Sequence, residues 1–240
     1  MTTDTGNGFA AGAGAGMRAD ADTRPVVHLT DPRELLEVYD EAGNPTGRAL
    51  ARGPVHLEGH WHLAFFCWVA RPAGQGGDIE VLLQHRAARK DVWPLRFDAS
   101  AAGHVRFGES MAEAAREVRE ELGIAVEFAD MVPLGRHRQE SFHANGIIDR
   151  EHHAVHLLTP GPPDAAYQPD PLEVAGLAWI NAADLLALAE GQIVSAGVRY
   201  RAVDAAPDAF VDRALTAADL VPYAQGYHRR LLAGMRRLVR

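Results

Sequence analysis

The sequence has little cysteine, no excess of positive charge and no long apolar run. Cys67 is the one cysteine among 240 residues, so no disulfide can form within the chain, and a reducing compartment is expected. Acidic residues outnumber basic ones by 32 to 24, which argues against a generic nucleic-acid partner, because phosphate binding needs a net basic surface. The longest apolar run, residues 63–70, is too short to cross a bilayer, which takes about 20 residues. There is no basic region followed by an apolar core at the N-terminus, so we expect a cytoplasmic protein without membrane partners.

Three regions of the chain differ in composition. Residues 1–24 are rich in glycine and alanine, lack hydrophobic periodicity and are predicted to be disordered. Residues 25–195 alternate between strand and helix patterns, which is typical of a mixed α/β sandwich. Residues 196–240 are predicted to form a C-terminal helical extension, with short helical pieces and a final helix near 227–238 that packs on the domain.

Strands are predicted from apolar and alternating segments. The continuous apolar run WHLAFFCWVARP is typical of a fully buried central strand, and DIEVLLQHRA is predicted to be another strand. Asn181 is expected to cap a helix over residues 182–189. The remaining strands are expected at residues 36–39, 48–51, 127–134, 136–141, 154–159 and 175–180.

An acidic helix is predicted within the segment GHVRFGESMAEAAREVREELGI, residues 103–124. Ser110 and Glu113 have the spacing of a capping box at its start, and Gly123 is suited to end it. One face of this helix is apolar and is expected to pack on the sheet (Met111, Ala114, Ala115, Val118, Leu122). Four glutamates fall on another arc, which is expected to face outward (Glu113, Glu117, Glu120, Glu121).

This crowding of glutamates predicts a cation site. Glutamates three or four positions apart on a helix repel one another, and a hard divalent cation among them reverses the sign of the interaction. Mg²⁺ prefers oxygen ligands and commonly bridges carboxylates to substrate phosphates. Gly103 can add its main-chain carbonyl, because no side chain stands in the way. The pattern therefore predicts a site for Mg²⁺, or alternatively Mn²⁺, that polarises a phosphoryl group and activates a water. A solvated acidic helix face is the alternative interpretation.

The combined pattern resembles the Nudix box, G-x5-E-x7-R-E-U-x-E-E-x-G-U, where U is an aliphatic residue. Gly103 and Glu109 match its first half, and REVREELGI, residues 116–124, matches its second half. The resemblance implies an α/β/α sandwich with a mixed sheet, which we place at residues 25–195. It also implies Mg²⁺-dependent cleavage of a diphosphate linkage in a nucleoside diphosphate derivative or a related organic diphosphate, so a small-molecule diphosphate is the expected partner.

The resemblance also implies roles for individual residues. These are metal binding for Gly103, Glu117, Glu120 and Glu121, and catalysis for Glu120, Glu121 and Arg116. In the family pattern Arg116 orients the glutamates and pairs with Glu109. Six residues separate Glu109 from Arg116 where the pattern has seven, and losing one residue inside a helix rotates one side relative to the other by about 100°. We therefore expect the metal ligands to be retained and the Glu109–Arg116 pair to be lost.

Two longer segments look like the Nudix branch related to type I isopentenyl-diphosphate isomerase: EVYDEAGNPTGRALARGPVHLEGHWHLAFFCWVA and VLLQHRAARKDVWPLRFDASAAGHV. In those isomerases a catalytic cysteine precedes the Gly-His pair that corresponds to Gly103-His104. Ala102 occupies that position here, and Cys67 is expected to be a small buried apolar side chain. The alternatives to a hydrolase are an enzyme like the isomerase and a non-catalytic Nudix sensor that binds a nucleotide.

Further candidates lie outside the box. Arg86 is predicted to meet substrate phosphates, with an ordinary surface arginine as the alternative. Trp61 and His62 open the central strand and are expected either to flank the substrate or to pack in the core. The resemblance to Nudix enzymes, which often draw a further base or metal ligand from a later strand or loop, makes Asp149 and Glu151 candidates, with solvated loop carboxylates as the alternative. A homodimer is compatible with the sequence.

Overall fold

The structure, a computed structural model, describes Met1 and residues 34–74 and 78–239. The tail predicted at residues 1–24 lies, apart from Met1, outside the described residues. Eleven strands are found in the described part of the chain: β1 (Leu35–Tyr39), β2 (Pro45–Ala51), β3 (Trp61–Pro72), β4 (Ile79–Arg86), β5 (Phe97–Asp98), β6 (Ala101–His104), β7 (Met131–Phe142), β8 (Ile148–Leu158), β9 (Val174–Asn181), β10 (Ala196–Ala202) and β11 (Val211–Leu215). The same residues form the helices α1 (Arg52–Glu58), α2 (Met111–Ala114), α3 (Arg116–Leu122), α4 (Ala182–Ala189) and α5 (Tyr227–Leu238).

All of these strands belong to one mixed sheet. Its main path runs β11-β10-β9-β4-β3-β1-β2, while β5 pairs with β4, β6 and β8 pair with β3, and β7 pairs with β8. The β3–β8 pair is parallel, and the other pairs are antiparallel. The prediction of a mixed sheet is therefore confirmed, with β3 at the point where β1, β4, β6 and β8 meet.

Strand β3 divides the core into two layers, as a strand buried on both faces must. Ala64, Phe66 and Trp68 point into a cluster that also contains buried residues of α4 and α5. Phe65 and Cys67 point to the opposite side, where buried residues of α2 and α3 cover the sheet. Helices on both faces of the sheet make an α/β/α sandwich, so the predicted fold class is confirmed.

Several predicted elements are found at their expected places. The apolar run forms β3, and Asn181 caps α4 by accepting a hydrogen bond from the backbone N–H of Ala183 at 2.8 Å. The final helix, α5, packs on the domain through Leu231, Leu232 and Met235, which are buried in one of the two clusters. The prediction of two strands over residues 127–141 is wrong, since β7 is one strand with an irregularity near Gly135.

The prediction of short helical pieces after residue 195 is wrong for residues 196–215, although a short 3-10 helix does occur at Ala217–Asp219. Residues 196–202 and 211–215 form β10 and β11, which extend the sheet beyond β9. The physical reason is a period of two rather than 3.6: Ala196 and Val198 are buried, whereas Gly197 and Arg199 between them are exposed. Across residues 34–74 and 78–239, none of the helices combines the length and the apolar character that a membrane span requires.

Candidate functional site

The acidic segment forms two short helices rather than the single one predicted. Ser110 caps α2 as predicted, because its hydroxyl accepts from the backbone N–H of Glu113 and the Glu113 side chain accepts from the backbone of Ser110. Gly123 ends α3 in the left-handed region, with φ of 68°. Between them Ala115 has a ψ of −9°, and its carbonyl accepts a hydrogen bond from Val118, three residues on. The helix is therefore locally tighter at this point.

The expected loss of the Glu109–Arg116 pair is wrong. Arg116 Nε lies 2.8 Å from Glu109 Oε1, and Arg116 Nη2 lies 3.3 Å from Glu109 Oε2. The rotation expected from one missing residue assumed a continuous α-helix, and the break at Ala115 removes that assumption. Arg116 also donates to Glu117, and to Glu120 at 3.1 Å. Arg116 thus donates hydrogen bonds to three glutamates of the acidic segment.

The three predicted metal glutamates have different surroundings. Glu121 is 2% exposed, and its carboxylate accepts from Gln84, Lys90 and the backbone N–H of Ala102, each at 2.9 Å. Glu120 lies at the surface with 47% of its side chain exposed. The expectation that all the glutamates face outward is therefore wrong for Glu121, and the three carboxylates do not converge on one point.

Glu117 and Glu121 both line the cavity, and Glu117 is the one whose carboxylate lies next to Gly103. Burial, reinforced by the negative charge of Glu121, raises its pKa to about 7, although Arg116 opposes the shift. A buried carboxylate with this pKa is short of positive charge, which a divalent cation supplies. Gly103 and Glu117 therefore fit a hard cation, whereas Glu121 is already satisfied by three donors.

Gly103→Ala is expected to lower Mg²⁺-dependent activity by about a hundredfold while leaving the unfolding midpoint nearly unchanged. A Cβ at this position would overlap the carboxylate of Glu117. Because that carboxylate ends a flexible side chain, it can move away at little cost in stability, but it then leaves its position in the cavity. Steady-state kinetics and thermal unfolding measure the two effects. Gly197→Ala, which meets nothing within 4 Å, is the matched control.

A second group of side chains lies beside the same cavity, which four of its five members line (His56, His104, Asp149, Glu151). His56 of α1, His62 of β3 and His104 of β6 lie with their ring centroids 5.0–5.1 Å apart. Asp149 and Glu151 of β8 complete the group, because the parallel β3–β8 pairing sets Glu151 opposite His62. His62 Nε2 lies 3.7 Å from an oxygen of each carboxylate. We call these five residues the histidine–carboxylate centre.

The polar atoms of this centre point at one another and lack partners. His56 Nε2, His62 Nε2 and Asp149 Oδ1 are buried without a hydrogen bond among the described residues. Buried polar atoms are rarely left unpaired, and these three atoms fit the role of cation ligands. The Nδ1 atom of His62 faces the carbonyl of His60 at 3.0 Å, and that of His104 faces Glu34 at 3.1 Å. Donation through Nδ1 leaves the Nε2 lone pairs directed inward, which is the usual arrangement of metal-binding histidines.

The charges of the centre also favour a cation. Burial lowers the pKa of His56, with the neighbouring His104 and His62 adding to the effect, so its ring is neutral. Burial and the adjacent Glu151 raise the pKa of Asp149 to about 7. Burial acts to raise the pKa of Glu151 too, but the hydrogen bond from His153 at 2.8 Å and the nearby ring of His62 outweigh it and hold that pKa well below its ordinary value. Burial also lowers the pKa of His104, whereas at His62 the adjacent Glu151 and Asp149 outweigh burial and raise the pKa. Imidazoles and carboxylates together form a donor set that suits Mn²⁺ or Zn²⁺.

The cavity that contains both groups has a volume of 260 Å³. Eight carboxylates line it (Glu34, Asp91, Asp98, Glu117, Glu121, Asp149, Glu151, Glu173). Four cationic side chains face them (Arg52, Arg86, Arg89, Lys90). Four positive against eight negative charges give a formal charge of −4, which favours the binding of cations in this cavity.

The remaining sequence candidates are distributed around this cavity. Arg86 lines it, but its guanidinium is committed to Asp98 at 3.1 Å and to the carbonyl of Val92 at 3.0 Å. His62 and Glu151 belong to the histidine–carboxylate centre, and Trp61 lies outside the cavity. Cys67 is fully buried, and burial raises the pKa of its thiol to about 12, as expected of a small apolar side chain.

Sequence reasoning missed the centre as a unit. His56 and His104 were not identified, because His56 lies in a helix that the sequence did not predict and His104 was considered only as the neighbour of Gly103. The signal that was available is the dense spacing of histidines in HLEGHWH. It does not tell which of them face the later strand, since that depends on the parallel pairing of β3 with β8.

The α/β/α sandwich and its acidic cavity, whose side chains fit a divalent cation, narrow the class of protein. Comparison with known proteins specifies it: the NUDIX domain model matches residues 60–199, so the chain belongs to the Nudix family. It is 32% identical over 212 residues to an uncharacterised Nudix hydrolase of Clostridium acetobutylicum, covering 84% of this chain and 97% of that one. Its Nudix domain and this Nudix hydrolase relative support the prediction of a hydrolase.

Other similar proteins include isomerases of the same superfamily. An isopentenyl-diphosphate Delta-isomerase of Kocuria rhizophila is 36% identical over 160 residues, covering 65% of this chain and 83% of that one. Among solved structures, DR0079 from Deinococcus radiodurans is similar with a TM-score of 0.45 and 23% identity, covering 64% of this chain and 87% of that one.

Proposed function

We propose that the protein is a divalent-cation-dependent hydrolase that cleaves a diphosphate linkage in a nucleoside diphosphate derivative or a related organic diphosphate. The observation that carries this proposal is one cavity with a formal charge of −4, lined by Gly103 and Glu117 and by members of the histidine–carboxylate centre, whose side chains are placed so that they could hold a metal ion. A bound metal ion would polarise the phosphoryl group and activate water. Magnesium suits the oxygen ligands beside Gly103, and Mn²⁺ suits the histidine–carboxylate centre.

Within this proposal each group of the chain has a distinct task. Glu117, with the Gly103 carbonyl, would hold a hard cation, and the exposed Glu120 could join it from the surface. Arg116 would orient both glutamates through its hydrogen bonds to them. Glu121 would act as a positioning residue, because it fixes Lys90 at the cavity wall.

Two basic side chains are placed to meet the phosphates. Burial acts to lower the pKa of Lys90, but the charges of Glu121 and Glu173 outweigh it and raise that pKa, so its ammonium is charged. Arg89 is exposed at the cavity, and it has no ion-pair partner among residues 34–74 and 78–239. Arg89 is therefore better suited than Arg86 to bind a substrate phosphate.

The isomerase alternative is disfavoured because the one cysteine of the chain is not accessible at the cavity. Ala102 lines the cavity at the position of the isomerase cysteine, and Cys67 lies buried in the core on the other face of β3. Neither residue offers an accessible acid or nucleophile at the cavity. The chain could bind an isoprenoid diphosphate, but it lacks at this cavity the thiol that the isomerases place beside the Gly-His pair.

A panel of diphosphates tests the proposal. Metal-free protein is supplied with Mg²⁺ or Mn²⁺ and assayed for phosphate released from nucleoside diphosphates, ADP-ribose, NAD, dinucleoside polyphosphates and isopentenyl diphosphate. Turnover that depends on the added ion is expected for at least one substrate. Conversion of isopentenyl to dimethylallyl diphosphate without phosphate release would favour the isomerase, and nucleotide binding without any turnover would favour the sensor.

A further inference from the structure

Strand β7 forms an open edge of the sheet. It pairs with β8 on one side, and no other backbone segment within the described part of the chain hydrogen-bonds to it. Each of residues 132–142 is exposed or half-buried, whereas residues 152–158 of β8 are buried. The unpaired N–H and C=O groups along such an edge are a template for pairing with another strand.

Only the second half of β7 is suited to such pairing. Pro133 lacks an N–H donor, and the register with β8 shifts between Pro133 and Gly135, whereas it is regular over residues 136–142. A second cavity, of 690 Å³, borders this half, and all five of residues 138–142 line it. Successive residues of a strand point to opposite faces, so a cavity that all five line extends around the edge itself. The edge is therefore accessible over residues 136–142.

The side chains of this half are complementary to those of a second copy. One face carries Arg136, Arg138, Glu140 and Phe142, because alternate residues of a strand share a face. If two copies pair antiparallel about a two-fold axis at Gln139, Arg138 of one copy lies opposite Glu140 of the other. In the same register Arg136 lies opposite Phe142. The two-fold axis makes each of these contacts occur twice.

This register also brings together side chains that are short of partners. Phe142 is 65% exposed, and Arg136 is exposed without an ion pair to any other described residue. A guanidinium and an aromatic ring that face each other across two strands attract. A two-fold axis at Arg138 or at Glu140 would instead place that residue opposite itself, and like charges directly opposite each other are destabilising. The charges therefore favour the register centred on Gln139.

The ion pairs that already exist on this face do not oppose the pairing. Arg138 donates to Glu41 at 2.7 Å, and Arg150 donates to Glu140. Between 34% and 70% of each of these four side chains is exposed. Exposed ion pairs contribute little to stability, so sharing Arg138 and Glu140 with a second copy costs little. The other face of the segment carries polar side chains (His137, Gln139, Ser141).

We propose that the protein forms a homodimer in which residues 136–142 of β7 pair antiparallel with the same residues of a second copy, about a two-fold axis at Gln139. Charged side chains keep an edge strand from pairing with unrelated strands, but they favour a partner whose charges are complementary. A pair of seven-residue strands buries less than a standard interface of about 1,600 Å², so a reversible dimer with a roughly micromolar dissociation constant is expected.

Charge reversal on the full chain tests this register. Sedimentation velocity between about 1 and 200 μM should show the mass rising from one chain to two. Arg138→Glu sets two carboxylates opposite each other, and Glu140→Arg sets two guanidinium groups opposite each other. Each variant is expected to weaken the dimer by about ten- to a hundredfold, because two symmetry-related contacts change from attraction to repulsion. The double variant Arg138→Glu/Glu140→Arg restores opposite charges and should regain the wild-type dissociation constant.

Mixing the two single variants guards against misfolding. The carboxylates of Arg138→Glu then face the guanidinium groups of Glu140→Arg, so an equimolar mixture should dimerise at concentrations where each variant alone stays monomeric. Phe142→Arg should also weaken the dimer, since it opposes Arg136. Val211→Arg is the matched control, because Val211 is 60% exposed on another edge strand, β11, and should leave the dimer unchanged.

Two results would overturn the inference. One is a wild-type chain that stays monomeric throughout the concentration range, as expected if this edge receives an extended segment of a different protein. The other is a dimer whose dissociation constant is the same in wild type, Arg138→Glu and Glu140→Arg, which would place the interface elsewhere. Neither result depends on turnover, so this inference and the proposed hydrolase are tested separately.

Discussion

Glu151→Gln is expected to lower kcat/KM for the Mn²⁺-dependent reaction by at least about a hundredfold. The Glu151 carboxylate lies 3.7 Å from the ring nitrogens of both His62 and His104, and 2.8 Å from His153. Glutamine keeps the shape of the side chain but removes its negative charge, and it directs an N–H donor toward nitrogens that should bind metal. The loss should therefore arise from weaker ion binding rather than from a changed fold.

Calorimetric titration of metal-free protein with Mn²⁺ measures that ion binding directly. Glu80→Gln is the matched control, since it makes the same change in a strand carboxylate that pairs with Arg71 and lies outside both cavities. The control should retain the wild-type Mn²⁺ affinity. If Glu151→Gln also retained it, the histidine–carboxylate centre would not be the metal site.

The pKa of Asp149 adds a pH dependence to the same experiment. Burial and Glu151 raise that pKa to about 7, so protons compete with the metal ion for Asp149 around and below this pH. Mn²⁺ affinity of the wild-type protein should therefore fall as the pH drops from 8 to 6. Asp149→Asn should bind Mn²⁺ more weakly at pH 8 and should show less of this fall.

The sequence predicted best those features that depend on neighbouring residues. The apolar run from Trp61 predicts a doubly buried strand, and Asn181 predicts a helix start, because burial of the whole segment and capping are both local effects. The box glutamates were found for the same reason, since their spacing within one segment carries the signal. The break in the helix at Ala115 was nevertheless not predicted, because a local change of helical pitch has little effect on the amino-acid composition of the segment.

Features that depend on pairing between residues far apart in the sequence could not be predicted from local patterns. His62 meets Glu151 only because β3 and β8 pair in parallel, 89 positions apart in sequence, and no local pattern states that register. His56 reaches the centre from α1, a seven-residue helix with a proline near its start and a weak signal of its own. The histidine–carboxylate centre is therefore assembled by the tertiary fold from separate elements, whereas the acidic box lies within one continuous segment.

Glu117→Gln is expected to have opposite effects on activity and on metal-free stability. The folded-state pKa of Glu117 is raised to about 7 from a reference value of 4.5 by burial and by the charge of Glu121. The folded protein therefore holds a proton that the unfolded chain has released between these two pH values. Linkage then requires that this contribution to the free energy of unfolding is lost as the pH rises from 4.5 through 7. A shift of this size corresponds to roughly 3 kcal/mol above pH 7.

Glutamine cannot ionise, so the variant avoids that loss. At pH 8 in the presence of a chelator, Glu117→Gln should be more stable than the wild type by up to about 3 kcal/mol, and at pH 4.5 the difference should nearly vanish. Mg²⁺ should stabilise only the wild type, because the variant lacks the charge that would bind the ion. Mg²⁺-dependent turnover of the variant should be at least about a hundredfold lower.

Urea unfolding at the two pH values, with and without Mg²⁺, separates these effects. Glu127→Gln is the control, since Glu127 is exposed and lies outside both cavities. A variant that was less stable than the wild type at pH 8 without metal would mean that the ion pair with Arg116 outweighs the cost of burying the charge. The expected result would instead mean that an ionised Glu117 destabilises the metal-free protein relative to glutamine. Its presence would then be explained by cation binding and not by stability.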